Sequence, residues 1–187
     1  MLRSLARRPS THTVRALVRP SVPSVAGFHT EVRGEEGTES YRMFFTDNSA
    51  DISPWHDLPL SSAPGTYNFL NEIPKMTKKK MEVATKEAKN PIAQDIKKGK
   101  LREYHGPIFW NYGCLPQTWE DPAVTHPSLG VLGDGDPIDA VEIGSEPLLT
   151  GALAVVKPLG VLVRYVPPAS TRLVRQPMNN RRPTCCS

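Results

Sequence analysis

The chain has 187 residues, of which 39% are hydrophobic and 22% charged, and it contains 19 prolines. This length fits one ordinary domain, or a small domain with tails, so a second domain is not expected. No run of residues approaches the roughly 18 consecutive apolar positions of a transmembrane helix, and no such helix is predicted.

The net charge of +4 would ordinarily suggest nucleic acid or an anionic membrane as a partner. However, residues 1–30 hold five Arg, residues 147–187 hold six basic residues, and neither segment contains an acid. Residues 31–146 hold the other 12 basic residues and all 19 acids. The sequence thus has an acidic middle between two basic ends. Nucleic-acid binding is disfavoured, because aromatic residues do not interleave with the basic ends.

The first 30 residues have the composition of a mitochondrial transit peptide, since they are rich in Arg, Ser, Thr and Ala and lack Asp and Glu. On a helix, Leu2 and Leu5 would share one face with Arg3 and Arg7 beside it. We therefore predict a transit peptide over residues 1–30 and a location in the mitochondrial matrix. A disordered basic arm is the alternative.

Short apolar stretches separated by Pro- and Gly-rich turns follow, which is typical of an all-β barrel or sandwich. We predict a β-strand at each of four such stretches. A longer apolar run, Leu153–Val166, follows them. These four stretches are Tyr67–Ile73, Met81–Thr85, Ile108–Tyr112 and Ala140–Ile143. One short helix is predicted over residues 91–98, with Asn90 as its N-cap and Gly99 at its end.

A basic segment, Lys78-Lys79-Lys80-Met81-Glu82-Val83, is followed by Lys97, Lys98, Lys100 and Arg102. A lysine run usually forms a solvated face. Together with nearby acids that bind metal, however, such bases fit a polyphosphate substrate, whose charge is neutralised by cations and metal ions.

The segment with the strongest chemical signal is Gly133-Asp134-Gly135-Asp136-Pro137-Ile138-Asp139. An extended backbone directs Asp134 and Asp136 to one side, and a bend at Pro137 would allow Asp139 to join them. Three adjacent carboxylates raise one another's pKa, and a hard divalent cation such as Mg²⁺ or Mn²⁺ relieves that repulsion.

Three other structures could explain the acidic residues of this segment. A surface turn with three solvated Asp stays open. An EF-hand loop fails, because Asp139 and Ser145 occupy the positions that need Gly and Glu. A phosphatase with an Asp nucleophile stays open but weak, because only Val131 and Leu132 precede Gly133 as apolar residues.

Residues 164–187 contain four prolines, show no apolar periodicity and end in Cys185 and Cys186. We predict a disordered basic tail. No His or further Cys lies at metal-ligand spacing from the cysteine pair.

Seven ordered motifs resemble the family I soluble inorganic pyrophosphatases of eukaryotes, and the Arg-rich leader resembles that of the mitochondrial type. The resemblance implies a pyrophosphatase domain over residues 31–163. The motifs are Asn71-Glu72-Ile73-Pro74, Lys80-Met81-Glu82-Val83-Ala84-Thr85-Lys86-Glu87, Asn90-Pro91-Ile92, Gly99-Lys100-Leu101-Arg102, Trp110-Asn111-Tyr112-Gly113, Pro116-Gln117-Thr118-Trp119-Glu120-Asp121-Pro122 and the segment Gly133–Asp139.

This resemblance implies a mainly β fold with short helices (α+β), a twisted five-stranded OB-like barrel that is incomplete here. It also implies hydrolysis of diphosphate to two phosphates with Mg²⁺ as the cofactor, and a homodimer as a possible assembly. In such enzymes two metal ions share the water that attacks the substrate.

The resemblance also implies roles for individual residues. Asp134, Asp139 and Glu82 correspond to metal ligands, and Asp136 to the catalytic carboxylate that deprotonates the attacking water. Lys80, Arg102 and Tyr112 correspond to substrate-binding groups, and Glu72 to a supporting acid.

One departure from the family is large. Glu146 is the last acid in the chain, whereas the family continues with further metal-binding Asp residues. We therefore expect little or no pyrophosphatase activity. The alternative to an active pyrophosphatase is a truncated, inactive family member that binds Mg²⁺ or a full-length subunit.

Overall fold

The computed structural model describes residues 27–125, 127, 130 and 132–161. These residues form eleven strands and contain no helix. The strands are β1 (Phe28–Arg33), β2 (Arg42–Asp47), β3 (Ala50–Ile52), β4 (Tyr67–Ile73), β5 (Met81–Val83), β6 (Ile92–Gln94), β7 (Ile96–Lys97), β8 (Lys100–Leu101), β9 (Asn111–Cys114), β10 (Asp139–Glu142) and β11 (Leu153–Val156).

The strands build two main antiparallel sheets and one hairpin. The five-stranded sheet has the order β1-β2-β6-β5, with β3 paired to β2, and the four-stranded sheet has the order β10-β9-β4-β11. Strands β7 and β8 pair with each other. The predicted mainly β class is confirmed, but within the described residues the sheets do not close on themselves and the predicted helical part has no counterpart.

A hydrophobic core lies between the two sheets. Phe45 of β2 and Ile92 of β6 contribute from one sheet, and Leu70 and Ile73 of β4 contribute from the other; all four side chains are fully buried. Burying one such side chain contributes roughly 1.5–3 kcal/mol. Packing of these side chains therefore fixes how the sheets face each other.

Strand β4 is buried along nearly its whole length, including its polar residues. Asn68 donates from Nδ2 to the carbonyl of Pro59 at 2.7 Å, and Asn71 donates to the carbonyl of Leu148 at 2.9 Å. The polar positions of this strand are therefore not a solvated face, because they hold neighbouring loops by hydrogen bonds.

The helix predicted over residues 91–98 is wrong, because this stretch forms β6 and β7. Asn90 does not cap a helix; its Nδ2 donates to the carbonyls of Ala84, Thr85 and Glu87 and closes the loop before β6. Gly99 does not end a helix either. It takes a positive φ of 71° in the tight turn between β7 and β8.

Four predicted strands are found, although the one expected over residues 108–112 lies at Asn111–Cys114. The first three strands, between residues 28 and 52, were not predicted. The longer apolar run contributes β11, while its residues from 162 onward lie outside the described residues. The predicted tail also lies outside them, as does the leader except for residues 27–30. In the described part of the chain, we find no helix long and apolar enough to cross a membrane.

Gly113 in β9 allows the backbones of β9 and β4 to lie close together. A Cβ at this position would lie 1.9 Å from the carbonyl oxygen of Leu70 in β4. Gly113→Ala should therefore push β9 away from β4 and lower the free energy of unfolding by about 2 kcal/mol or more. Urea denaturation followed by tryptophan fluorescence measures this change.

Gly106→Ala is the matched control, because a Cβ there meets no atom within 4 Å. It should leave the urea midpoint nearly unchanged. Equal midpoints for the two variants would contradict the close approach at Gly113.

Candidate active site

Two cationic side chains, Lys80 and Arg102, share one carboxylate, that of Asp95. Backbone hydrogen bonds first align the three residues: Lys80 N donates to Arg102 O at 3.0 Å and Asp95 N donates to Lys80 O at 2.9 Å. Asp95 Oδ2 then accepts from Lys80 Nζ at 3.0 Å and also from Arg102 Nη1. Lys80 Nζ donates to Glu82 as well. Both cations are thus held in place before any ligand arrives.

The charges of this group of four shift its proton affinities. Partial burial opposes the charged form of Lys80, but hydrogen bonds to Glu82 and Asp95 outweigh it and raise the pKa of Lys80. Burial likewise acts to raise the pKa of Asp95, but its two cationic partners lower it overall. Both Lys80 and Asp95 are therefore charged at neutral pH.

The predicted acidic segment forms a loop that leads into β10. Gly133 packs against the backbone of Glu120, so closely that a Cβ would lie 2.2 Å from the carbonyl oxygen of Glu120. Gly135 N donates to Glu120 O, and Glu120 N donates to Asp136 O, each at 2.9 Å. These contacts fix the position of Asp134 and Asp136. Neither Asp directly follows a buried strand, which disfavours the phosphatase interpretation.

Electrostatic repulsion marks the acidic loop. Although Asp139 is exposed, packing around its carboxylate raises its pKa, and the charges of Asp134 and Asp136 add to this. A hydrogen bond from Tyr112 and the charge of Lys80 oppose the shift. Glu120 also has a raised pKa, because of packing and the same three Asp residues.

Glu72 lies beneath the site and links the two sheets. Its Oε1 accepts a hydrogen bond from Val83 N in β5 at 2.7 Å. Burial raises the pKa of Glu72 to about 8, even though this hydrogen bond favours the charged form. The charges of Asp139 and Glu82 raise it further, while Lys80 lowers it. This carboxyl is therefore largely protonated at neutral pH.

The side chains of Lys80 and Arg102 and the acidic loop, Gly133–Asp139, face each other. Thr85, two residues after β5, donates from Oγ1 to Asp136 Oδ1 at 3.2 Å. Asp139 lies within electrostatic range of Lys80 and Glu72. The structure thereby brings the sequence-predicted site residues into one region, with Glu72 buried beneath it. The residues above Glu72 are Lys80, Glu82, Arg102, Tyr112, Asp134, Asp136 and Asp139.

The donor set suits a hard cation, since the acidic loop offers only oxygen and its carboxylates destabilise one another. Among the described residues, no three His, Cys, Asp or Glu side chains lie close enough together to hold an ion. Mg²⁺ commonly binds through one or two carboxylates plus water and substrate phosphates. The donor chemistry therefore fits a hard divalent cation, although the described residues do not form a closed cage.

Three contributors were missed by sequence reasoning: Thr85, Asp95 and Glu120. The contacts of Asp95 come from residues seven and 15 positions away in the chain. Glu120 was noted only as part of a motif. No local sequence pattern indicates a role for Asp95. The motifs that contain Thr85 and Glu120 indicate a functional region, but not the hydrogen bonds that these two residues make.

A protein-family model described as inorganic pyrophosphatase matches residues 69–165, which is more than half of the 187 residues. The chain belongs to this family. The match confirms the resemblance seen in the motifs.

Known pyrophosphatases of several organisms are similar. A chloroplastic soluble pyrophosphatase of Chlamydomonas reinhardtii is 48% identical over 149 residues, covering 80% of this chain and 53% of that protein. The human pyrophosphatase is 44% identical, covering 74% and 50%. The crystal structure of the type I enzyme from Toxoplasma gondii has a TM-score of 0.64 at 44% identity, covering 70% and 60%. The chain spans about half the length of the curated relatives it matches.

The predicted mitochondrial location is contradicted by these relatives. Those from Chlamydomonas reinhardtii and Arabidopsis thaliana, at 48% and 50% identity, are both described as chloroplastic. The prediction was wrong because it relied on composition, and transit peptides of mitochondria and chloroplasts are both Arg- and Ser-rich and poor in acids.

Glu72 should make the stability of this pyrophosphatase-family chain depend on pH. The folded carboxyl keeps its proton up to about pH 8, whereas the unfolded carboxyl has its ordinary pKa of 4.5. The folded state therefore binds more protons between these values, and stability falls as pH rises through this window. Glu72→Gln should remove this loss, on the order of a few kcal/mol, in urea denaturation at pH 5 and pH 8.5.

The exposed Glu39→Gln is the control and should keep the pH dependence of the unsubstituted chain. If Glu72→Gln loses as much stability between the two pH values as that chain does, the raised pKa of Glu72 is not supported.

Proposed function

We propose that this chain hydrolyses inorganic diphosphate to two phosphates with Mg²⁺ as its cofactor. The observation that carries the proposal is the convergence of the pair Lys80 and Arg102 with the loop of Asp134, Asp136 and Asp139 on one surface. A diphosphate carries several negative charges, and its hydrolysis needs both cationic groups and metal-binding acids nearby.

Lys80 and Arg102 would bind phosphate oxygens. The planar guanidinium of Arg102 suits two oxygens of one phosphate, and the ammonium of Lys80 acts as a point charge. Because Asp95 positions both cations beforehand, little reorganisation is needed when the anion binds. The Tyr112 hydroxyl lies beside the same surface, where it interacts with Asp139.

Asp134, Asp139 and Glu82 would each give carboxylate oxygens to Mg²⁺ ions, which water and substrate phosphates would coordinate as well, with Glu72 as the supporting acid below them. When bound, the ion would neutralise phosphate charge and make an attacking water more acidic. Asp136 would accept the proton of that water. The hydroxyl of Thr85 donates to Asp136 and fixes one of its carboxylate oxygens.

The charge balance among Lys80, Arg102, Glu82 and Asp95 supports a metal-binding role for Glu82. Lys80 and Arg102 carry two positive charges, and Glu82 and Asp95 carry two negative ones, so the four side chains are neutral overall. Lys80 and Arg102 can give positive charge to a phosphate when Glu82 binds a metal ion instead of Lys80.

A related vacuolar soluble pyrophosphatase of Trypanosoma cruzi, 41% identical with a TM-score of 0.64, was crystallised in complex with PPi.

A homodimer is the proposed assembly. Three apolar side chains are exposed on neighbouring loops: Met76, Phe109 and Trp110, at 56%, 67% and 40%. The hydrogen bond from Met76 N to Ile108 O, at 2.7 Å, holds these loops together. Such a patch suits a protein contact.

Phosphate release from diphosphate, measured with Mg²⁺ present, tests the function. We expect the unsubstituted chain to release phosphate faster than a protein-free control. Asp136→Asn should lower this rate by about 10²-fold or more, because the proton acceptor is lost. Asp47→Asn, at the exposed end of β2, should leave the rate unchanged.

Two other results would be informative. Binding of Mg²⁺ and diphosphate without turnover would favour the inactive, binding member of the family. Phosphate release that Asp136→Asn does not slow would contradict the role given to Asp136.

A further inference from the structure

Tyr104 lies on the same short ladder as the two cations of the site. Lys80 N donates to Arg102 O at 3.0 Å, and Tyr104 N donates to Lys78 O at 2.9 Å. Between them, Lys79 and Glu103 form an antiparallel bridge. Successive side chains of an extended segment point to opposite faces, so Tyr104 lies on the face of Arg102 and Glu103 on the other.

The contacts of Arg102 and Glu103 agree with this alternation along residues 102–104. Lys79 and Glu103 both line a cavity of about 420 Å³, where Lys79 forms an ion pair with Glu36 at 2.7 Å. Lys80 and Arg102 instead meet Asp95. Tyr104 therefore belongs with the candidate active site rather than with the cavity.

The surroundings of Tyr104 combine an apolar and a charged part. Its ring is half-buried against the hydrophobic core. Its hydroxyl lies within electrostatic range of the cations Lys80 and Arg102 and the acids Asp139 and Glu72. The ring is thus held by packing while the hydroxyl stands among the charges of the site.

The two tyrosines of the site differ in what their hydroxyls contact. The Tyr112 hydroxyl interacts with the carboxylate of Asp139. The Tyr104 hydroxyl makes no hydrogen bond with the described residues. Burial raises the pKa of Tyr104, so its hydroxyl keeps its proton at neutral pH. A hydroxyl beside two cations and without an acceptor is suited to an anionic oxygen.

We propose that the Tyr104 hydroxyl is a further substrate-binding group, donating a hydrogen bond to a phosphate oxygen held by Lys80 and Arg102. This inference rests on the proposed function, since it adds a neutral donor to the same anion site. The class of ligand is an inorganic diphosphate or a close analogue.

Calorimetric titration of the full chain with imidodiphosphate, a diphosphate analogue with a nitrogen bridge, in the presence of Mg²⁺ tests the proposal. Tyr104→Phe keeps the ring and removes only the hydroxyl. It should weaken binding about tenfold or more, as expected for a hydrogen bond to a charged group. Tyr67→Phe, at the start of β4, is the matched control and should change the affinity by less than about twofold.

Each other result is decisive. Equal affinities of Tyr104→Phe and the unsubstituted chain would overturn the role of Tyr104 and leave the proposed function standing. No binding by the unsubstituted chain would overturn both. Should Tyr104→Phe fold poorly, 3-fluorotyrosine at position 104 serves instead: its ¹⁹F resonance should shift when the analogue binds, and an unchanged resonance would contradict the proposal.

Discussion

The contact between Glu72 and Val83 is the point on which the site depends. Glu72 belongs to the four-stranded sheet and Val83 to the five-stranded sheet, so this hydrogen bond at 2.7 Å joins the two. The cations of the site come from segments beside the five-stranded sheet. Asp139 begins β10, the edge strand of the four-stranded sheet. Together with the packed core, this junction sets the distance between the two sets of charges. A buried carboxyl that stays largely protonated can make this junction without leaving an unpaired charge in the core.

On the surface above this junction, the cationic and the acidic side chains are held in position in two different ways. The cations are held by ion pairs, through the shared carboxylate of Asp95. The acids are held by their backbone, since Glu120 and the loop of Asp134 and Asp136 exchange main-chain hydrogen bonds. Side chains that repel one another cannot stabilise their own arrangement, so the surrounding backbone must do so. This explains why the loop depends on Gly133, where no side chain fits.

Sequence reasoning predicted the features that are encoded locally. The strands Tyr67–Ile73 and, to within one residue, Asp139–Glu142 follow from apolar patterns, and the acidic loop follows from the spacing of its Asp residues. Sequence reasoning failed where one residue type is common in two kinds of structure. Asn and Gly are typical of helix ends, but Asn90 closes a loop and Gly99 lies in a hairpin turn. The role of Asp95 could not be predicted, because it arises from pairing between distant segments.

The fluorescence of Trp119 depends on the acidic loop. Its indole is 56% exposed, and Nε1 donates to the carbonyl of Gly135, between Asp134 and Asp136, at 3.2 Å. The emission of an indole responds to its solvation and to nearby charge, so this side chain is a natural fluorophore attached to the acidic loop. Trp55, in contrast, is buried and bound to the carbonyl of Thr118. A change in the emission of Trp119 would therefore report on the acidic loop, while the exposed Trp110 contributes a second signal.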